Sequence, residues 1–354
     1  MGACEISLNE QLPSELKKYA FKNCIPLSAT FELTPLCNFS CVMCYVRLSA
    51  EQMKNQGKML SADEWIELAR QAKEMGTLSI AITGGEPFTR PDFWQIYSKL
   101  NKMGFLISIL SNGYLIDETV IEKFREYGMP YMIKLSVYGS SDETYRKICG
   151  VSDGFTRFKK AVRLIKGEGI PLAVTATIVR DNADDLRELY QFAKEEWKVP
   201  FTHTVTVVKS ARGAINTAEK SRFRFDEFIN GMTIENLERN KFPPLKTPFA
   251  WCSGYRTSVW ITWNGNVQLC SFMNAPYSSF KDGLESAWKE LNIKLNAISS
   301  PAECEKCEYA VFCQRCPGLL CAESGSAEKV DAFLCETAKK LYEAYNKLAK
   351  EEQE

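Results

Sequence analysis

At 354 residues the chain exceeds a typical single domain and can bury a large core, so two units are expected. Its 44 basic and 44 acidic residues cancel, which gives no footprint for nucleic acid, and no apolar run is long enough to span a membrane. Fourteen cysteines without a charged-then-apolar signal segment fit metal-bound thiolates in a reducing cytoplasm better than a disulfide framework.

Residues 1–27 read as a short polar helix and connector. From residue 28 to about 209, apolar β-like runs alternate with amphipathic stretches. Strands are expected at Ala29–Leu33, Leu78–Thr83, Leu106–Ser111, Met132–Val137, Ala173–Val179 and Thr202–Val208, with helices around 62–75, 91–103, 117–127, 155–168 and 184–196. This alternation argues for an α/β fold built on a parallel sheet with helical crossovers. Residues 210–250 break the rhythm with Arg212-Gly213, a mixed-charge run and Phe242-Pro-Pro-Leu, as a bridge between units would. Residues 251–354 form a cysteine-rich tail, in which Trp263-Asn264-Gly265-Asn266 is expected as a β-hairpin turn.

The cysteines fall in two groups. Cys37-Asn-Phe-Ser-Cys41-Val-Met-Cys44 places three thiols within eight residues, directly after the first strand. Three thiolates are one too few to close a tetrahedral zinc or iron–sulfur site, and an iron without a protein ligand can accept a small molecule. Buried free thiols, or a zinc site completed by a distant ligand, are the alternatives. About 40 residues later comes Thr83-Gly84-Gly85-Glu86-Pro87 at the end of a second strand. Glycines there allow close backbone approach to a ligand, and a carboxylate such as Glu86 suits an ammonium partner.

The three-cysteine spacing followed by Gly-Gly-Glu-Pro at a strand end resembles the radical S-adenosylmethionine (SAM) superfamily. The resemblance implies a partial, six-stranded (β/α)6 TIM-like barrel over residues 28–209, with its chemistry at the C-terminal ends of the strands. It implies a [4Fe–4S] cluster on Cys37, Cys41 and Cys44, whose open iron chelates SAM, with Gly84, Gly85 and Glu86 at the SAM amino group. Asn112, Ser136, Thr177 and Asn182 are similar to other positions of the SAM pocket, although tight turns and a helix cap explain the same residues. Relatives carry an arginine where this chain has Cys149. Arg146, one helical turn earlier, is the substitute for it; the alternative is a carboxylate held by iron and a hydroxyl alone.

The tail, residues 251–354, resembles a SPASM domain, the cysteine-rich C-terminal extension of radical SAM enzymes that mature peptides and proteins. That resemblance implies two auxiliary [4Fe–4S] clusters, the nearer on Cys252, Cys270 and Cys316 and the outer on Cys304, Cys307, Cys313 and Cys335. The gap between Cys313 and Cys316 is shorter than usual by one residue, and an extra Cys321 follows. The nearer cluster is therefore either closed by Cys321 or left with an open iron. A zinc-ribbon-like tail is the alternative that Cys-x2-Cys pairs permit. Cys4, Cys24 and Cys149 read as free thiols, and the sole histidine, His203, as a core or barrel-lining residue.

The implied activity is reductive cleavage of SAM to a 5′-deoxyadenosyl radical that takes hydrogen from a substrate. A ribosomally made peptide is the expected substrate, undergoing oxidation or cross-linking, with a flavodoxin- or ferredoxin-type reductant. Ser271 stands where sulfatase-maturing relatives have an acidic residue. A 27-residue N-terminus is too short for a fused leader-binding domain, so a separate leader-binding protein or direct recognition is expected. A radical SAM dehydrogenase or epimerase of a sugar or aminoglycoside is the second reading, and a multi-cluster electron carrier the third.

Overall fold

Nine strands form one sheet in the order β6-β5-β4-β3-β2-β1-β7-β8-β9, and the first six run parallel. The computed structural model describes residues 12–209, 211–213, 218–223, 233–242 and 247–351. Cys4, the first part of the N-terminal segment, Pro243, Pro244 and Leu245 and much of the mixed-charge run lie outside those residues.

In chain order the elements are α1 (Ser14–Asn23), β1 (Ser28–Glu32), α2 (Ala50–Gln56), α3 (Ala62–Glu74), β2 (Ser79–Thr83), α4 (Phe93–Lys102), β3 (Leu106–Ser111), α5 (Glu118–Tyr127) and β4 (Met132–Val137). There follow α6 (Asp142–Cys149), α7 (Gly154–Gly167), β5 (Leu172–Thr177), α8 (Leu186–Gln191) and β6 (Phe201–Thr204). The tail adds β7 (Ser258–Ile261), β8 (Asn266–Gln268), β9 (Ser278–Ser279), α9 (Leu284–Asn296), α10 (Pro317–Ser324) and α11 (Ala332–Glu351). Local chemistry sets the boundaries. Ser61 caps α3 by accepting from Glu64 N while Glu64 returns a bond to Ser61 N, so two orphan donors of the first turn are satisfied.

Register fixes which residues face which way, because side chains alternate across a strand and aligned partners share a face. Phe31 packs on Trp65 of α3 with ring centroids 4.9 Å apart, so its face is the helix-covered one. Ile82, Ile109 and Ile133 align with it and are fully buried. The opposite face is unusually polar, with Thr30, Glu32, Thr83, Ser108, Lys134, Ser136, Thr175 and Thr177. This is the lumen of a partial β/α barrel.

Several findings depart from the sequence-based expectations. The sixth strand stops at Thr204, and 205–208 continue without strand pairing. α6 was not expected, since Asp142-Glu-Thr-Tyr-Arg-Lys has a polar face; Tyr145, Ile148 and Cys149 form its buried stripe. The hairpin is present, with Gly265 at φ +87 in its turn, but it is not a separate sheet: β7 pairs in parallel with β1, Ser28 opposite Ser258.

Candidate active site and cysteine clusters

Chain crossing from β1 into the first cysteine loop is held against the end of β2 by a short backbone ladder. Leu33 N donates to Thr83 O (2.9 Å), Gly85 N to Thr34 O (2.7 Å) and Glu86 N to Leu36 O (3.0 Å). A Cβ on Gly84, whose φ is +146, would overlap Thr34 O and lie 3.0 Å from Thr34 N. One on Gly85 would sit 2.6 Å from the Leu36 carbonyl carbon and 3.0 Å from Cys37 Cβ. The two glycines are thus required by the approach of one backbone to another.

Glu86 is fully buried, and its carboxylate accepts from Ser111 Oγ (3.0 and 3.1 Å), Asn112 N (2.8 Å) and Phe88 N (3.2 Å). It clasps the ends of β2 and β3. Burial outweighs these donors and raises its pKa from 4.5 to about 7. The folded chain therefore holds this proton to a higher pH than the unfolded chain. The stability it contributes is complete below pH 4.5 and is lost as pH rises to about 7, a decline of about 3 kcal/mol. Glu86→Gln turns an NH2 toward these donors and lowers stability overall, but it removes this slope. Melts of the metal-free protein at pH 4.5 and 7.5 are expected to show a larger decline for wild type; equal declines would refute the assignment.

Each sulfur of the loop receives hydrogen bonds. Phe39 N donates to Cys37 Sγ (3.4 Å), Asn112 Nδ2 reaches the same sulfur (3.8 Å) and Arg47 N donates to Cys44 Sγ (3.3 Å). Cys41 is contacted by the Tyr138 and Cys149 side chains. Desolvation pushes the Cys37 and Cys44 thiols upward; for Cys41 the Cys149 contact is the larger cause, followed by burial. Free thiols here stay protonated at neutral pH, so thiolates require positive charge beside them. Donors already aimed at the sulfurs and a buried, aromatic-walled loop suit metal-bound thiolates. Among the described residues, no three His, Cys, Asp or Glu side chains converge on a single-ion position.

The remaining pocket candidates separate by orientation. Ser136 and Thr177 lie on the luminal face, aligned with Thr175 and Thr204. Asn112 donates to Asn38 Oδ1 (2.8 Å) and accepts from Tyr114 N (2.9 Å), so it braces the cysteine loop. Asn182, 1% exposed, donates to Tyr138 O (2.8 Å) and Thr177 O (3.1 Å) and accepts from Val179 N (2.7 Å). Its amide is committed to backbone, as the capping alternative required. Arg146 is exposed on α6. His203 aligns with Ala176 on the helix-covered face and bonds Tyr190 Oη at 2.9 Å through Nδ1, so it does not line the lumen. Cys149 is the last residue of α6, not a loop residue.

Residues 31–193 match the family described as the radical SAM superfamily. They are a radical SAM domain. The chain is 29% identical over 181 residues to the PqqA peptide cyclase of Gluconobacter oxydans (strain 621H), covering 51% of this chain and 49% of that one. It is 25% identical over 312 residues to the antilisterial bacteriocin subtilosin biosynthesis protein AlbA of Bacillus subtilis (strain 168), covering 82% and 67%. The chain spans about half the length of the PqqA peptide cyclases it matches. Among solved structures, Streptococcus suis SuiB bound to precursor peptide SuiA superposes with a TM-score of 0.65 at 18% identity over 91% of this chain and 79% of that one. Native anSMEcpe with bound AdoMet gives 0.61 at 19% identity, covering 92% and 98%. At those identities the likeness establishes the fold.

The radical SAM domain is tied to the tail by a buried polar network. Arg212 donates from Nε (2.9 Å) and a terminal nitrogen (2.5 Å) to Glu32, which also accepts from Trp260 Nε1 (3.0 Å); Arg212 also reaches Ser271 O (3.3 Å). Tyr45, next to Cys44, donates to Ser271 Oγ (3.3 Å), next to Cys270. Burial raises the Tyr45 phenol to about 12, which keeps it a donor at neutral pH. The sequence carried one unread signal for this network: Glu32, between Phe31 and Leu33 in a buried strand, calls for a cation beside it.

In the tail, Cys270 has Cys316 and Cys252 as charged-group neighbours, while Cys304 has Cys313, Cys335 and Cys307. Burial raises both thiols, Cys304 to about 11. Gly318 leaves room for the first set, since a Cβ there would lie 3.1 Å from Cys270 Sγ and 3.6 Å from Cys316 Sγ. Cys321 stands apart. Its buried thiol donates to Asn274 Oδ1 (3.1 Å) and Ala275 O (3.4 Å).

Proposed function

We propose that this chain is a radical SAM enzyme that modifies a ribosomally made peptide. The observation that carries the reading is the first cysteine loop. Three half-buried cysteines sit at the C-terminal end of β1, on a loop clasped to Gly84–Glu86 at the end of β2 and beside a polar lumen. Cys37, Cys41 and Cys44 would hold a [4Fe–4S] cluster with one iron free for SAM. With SAM bound, that cluster supplies reductive cleavage to a 5′-deoxyadenosyl radical and hydrogen abstraction from an unactivated carbon.

The protein's own part is positioning and exclusion. Glu86, Ser111 and Asn112 lock the loop, and the hydroxyls of Ser136 and Thr177 offer SAM and substrate polar anchors in the lumen. Glu32, Arg212, Tyr45 and Ser271 fix the tail against the barrel. Cys252, Cys270 and Cys316, with Cys304, Cys307, Cys313 and Cys335, would carry two auxiliary clusters, the nearer with three protein sulfurs. The peptide substrate is supported by the relatives, a PqqA peptide cyclase, a subtilosin biosynthesis protein and a SuiB bound to its precursor peptide. A flavodoxin- or ferredoxin-type protein would supply electrons, in a reducing cytoplasm. No helix among the described residues is long and apolar enough to cross a membrane.

Anaerobic incubation of the reconstituted protein with SAM and dithionite is expected to release 5′-deoxyadenosine, followed by a mass change in a precursor peptide encoded beside it. Iron-replete protein that leaves SAM intact would overturn the radical reading. Turnover of SAM with a sugar but no peptide would replace the substrate class.

A further inference from the structure

Cys252, in the nearer set of tail cysteines, lines a pocket of about 360 Å3 that it shares with Lys17, Lys18 and Phe21 of α1 and with Leu27 and Thr257. Leu27 and Thr257 are buried, Cys252 and Lys17 half-buried and Lys18 and Phe21 exposed, so the pocket runs from solvent to the turn that bears the cysteine. Arg256 pins α1 to that turn. Its Nε donates to Phe21 O (3.0 Å), a terminal nitrogen donates to Lys22 O (3.3 Å), and its guanidinium lies 5.3 Å from the Phe21 ring centroid. Phe21 also meets Tyr255 edge to face, with centroids 6.0 Å apart.

Positive charge gathers around this pocket. Residues 14–27 and 249–257 carry Lys17, Lys18, Lys22 and Arg256 against Glu15 alone, four cations to one carboxylate and a net +3, on a chain whose total charge is zero. Among the described residues neither Lys17 nor Lys18 pairs with a carboxylate. Phe21 and Trp251, the residue before Cys252, add exposed aromatic surface. Aromatic anchors beside basic side chains are the composition of a protein-binding surface, and the sign selects an acidic partner. The outer set also reaches solvent, through the exposed Cys335. Its surroundings have the opposite sign: residues 301–316 and 329–337 carry Glu303, Glu305, Glu308, Asp331 and Glu336 against Lys306, Arg315 and Lys329, a net −2. An acidic partner is therefore drawn to Cys252 and repelled from Cys335.

Resting on the reading above that Cys252, Cys270 and Cys316 carry a cluster, we propose that this basic pocket is the docking surface of an acidic one-electron carrier protein of the flavodoxin type. Electron transfer falls steeply with distance, so the carrier must come close to a cluster cysteine, and Cys252 is the one the pocket exposes. The carrier is oxidised and the cluster reduced by one electron, with no bond made or broken.

The test is calorimetric binding of oxidised flavodoxin to reconstituted full-length protein at low and high salt. Wild type is expected to bind, more weakly as salt rises. Lys17→Glu with Lys18→Glu turns the local charge from +3 to −1 and is expected to weaken low-salt binding about tenfold and to flatten the salt dependence. Lys194→Glu with Lys198→Glu makes the same change in total charge beside β6, five strands from β1, and is expected to bind as wild type does. Amide exchange of residues 14–27 and 249–257 is expected to slow when flavodoxin is added to wild type, a reading that needs no variant. Iron-replete wild type that cleaves SAM with dithionite yet binds no flavodoxin, or that is protected only around residues 301–316, would overturn the inference and leave the radical reading standing. Wild type without iron in the tail would remove the reading on which the inference rests. Flavodoxin binding that appears only after residues 1–11 are deleted would make that segment the occupant. Self-association that is lost in Lys17→Glu with Lys18→Glu would make the occupant a second copy, and either result overturns the inference.

Discussion

Replacing Cys37, Cys41 and Cys44 together by alanine is expected to drop the iron content from about twelve to about eight per chain and to abolish 5′-deoxyadenosine formation. The tail thiols have their own neighbours, Cys270 with Cys316 and Cys252, and Cys304 with Cys307, Cys313 and Cys335, so the two auxiliary clusters proposed there would be independent of the loop. Without the loop sulfurs there is no site to hold SAM beside an electron donor, and residual turnover has no second route. Iron and sulfide analysis with chromatography of the SAM reaction checks both halves. Nucleoside release at the wild-type rate from the triple variant would place the chemistry elsewhere and sink the proposal.

Gly85→Ala is expected to be nearly as damaging although it removes nothing. The added methyl would lie 2.6 Å from the Leu36 carbonyl carbon and 3.0 Å from Cys37 Cβ, and no flexible side-chain tip is available to give way. Overpacking of this kind costs about 3 kcal/mol. Relief requires the loop to move off the end of β2, which displaces Cys37 and breaks the bonds from Gly85 N and Glu86 N. Lower iron occupancy in the first cluster and a reduced denaturation midpoint of the metal-free protein are the expected readings. Gly167→Ala is the control, because nothing lies within 4 Å of its Cβ position. If the two variants behave alike, the close approach of the backbones is not what the glycine provides.

The barrel was legible because its strands are apolar runs bounded by turn residues, and β3 and β4 fall at Leu106–Ser111 and Met132–Val137 as read. The thiol groupings were legible as well, because loop spacing is local information. What escaped was chemistry joining residues far apart in the chain. Arg212 meets Glu32 across 180 positions, and Tyr45 meets Ser271 across 226, so neither pair leaves a periodic trace. Gly84, Gly85 and Glu86 stood out as a pattern, yet their purpose could not be inferred without knowing that Thr34–Leu36 runs alongside them. Helix α6 went unread because it hides its apolar stripe of Tyr145, Ile148 and Cys149 behind a charged face.

Pairing of β7 with β1 has a mechanical consequence. The strand that launches the reactive loop is an interior strand, bonded to β2 on one flank and to the C-terminal hairpin on the other. Tension applied to either half of the polypeptide is therefore shared by the same backbone rungs. Strand pairing thus joins chain from either side of the composition change near residue 250.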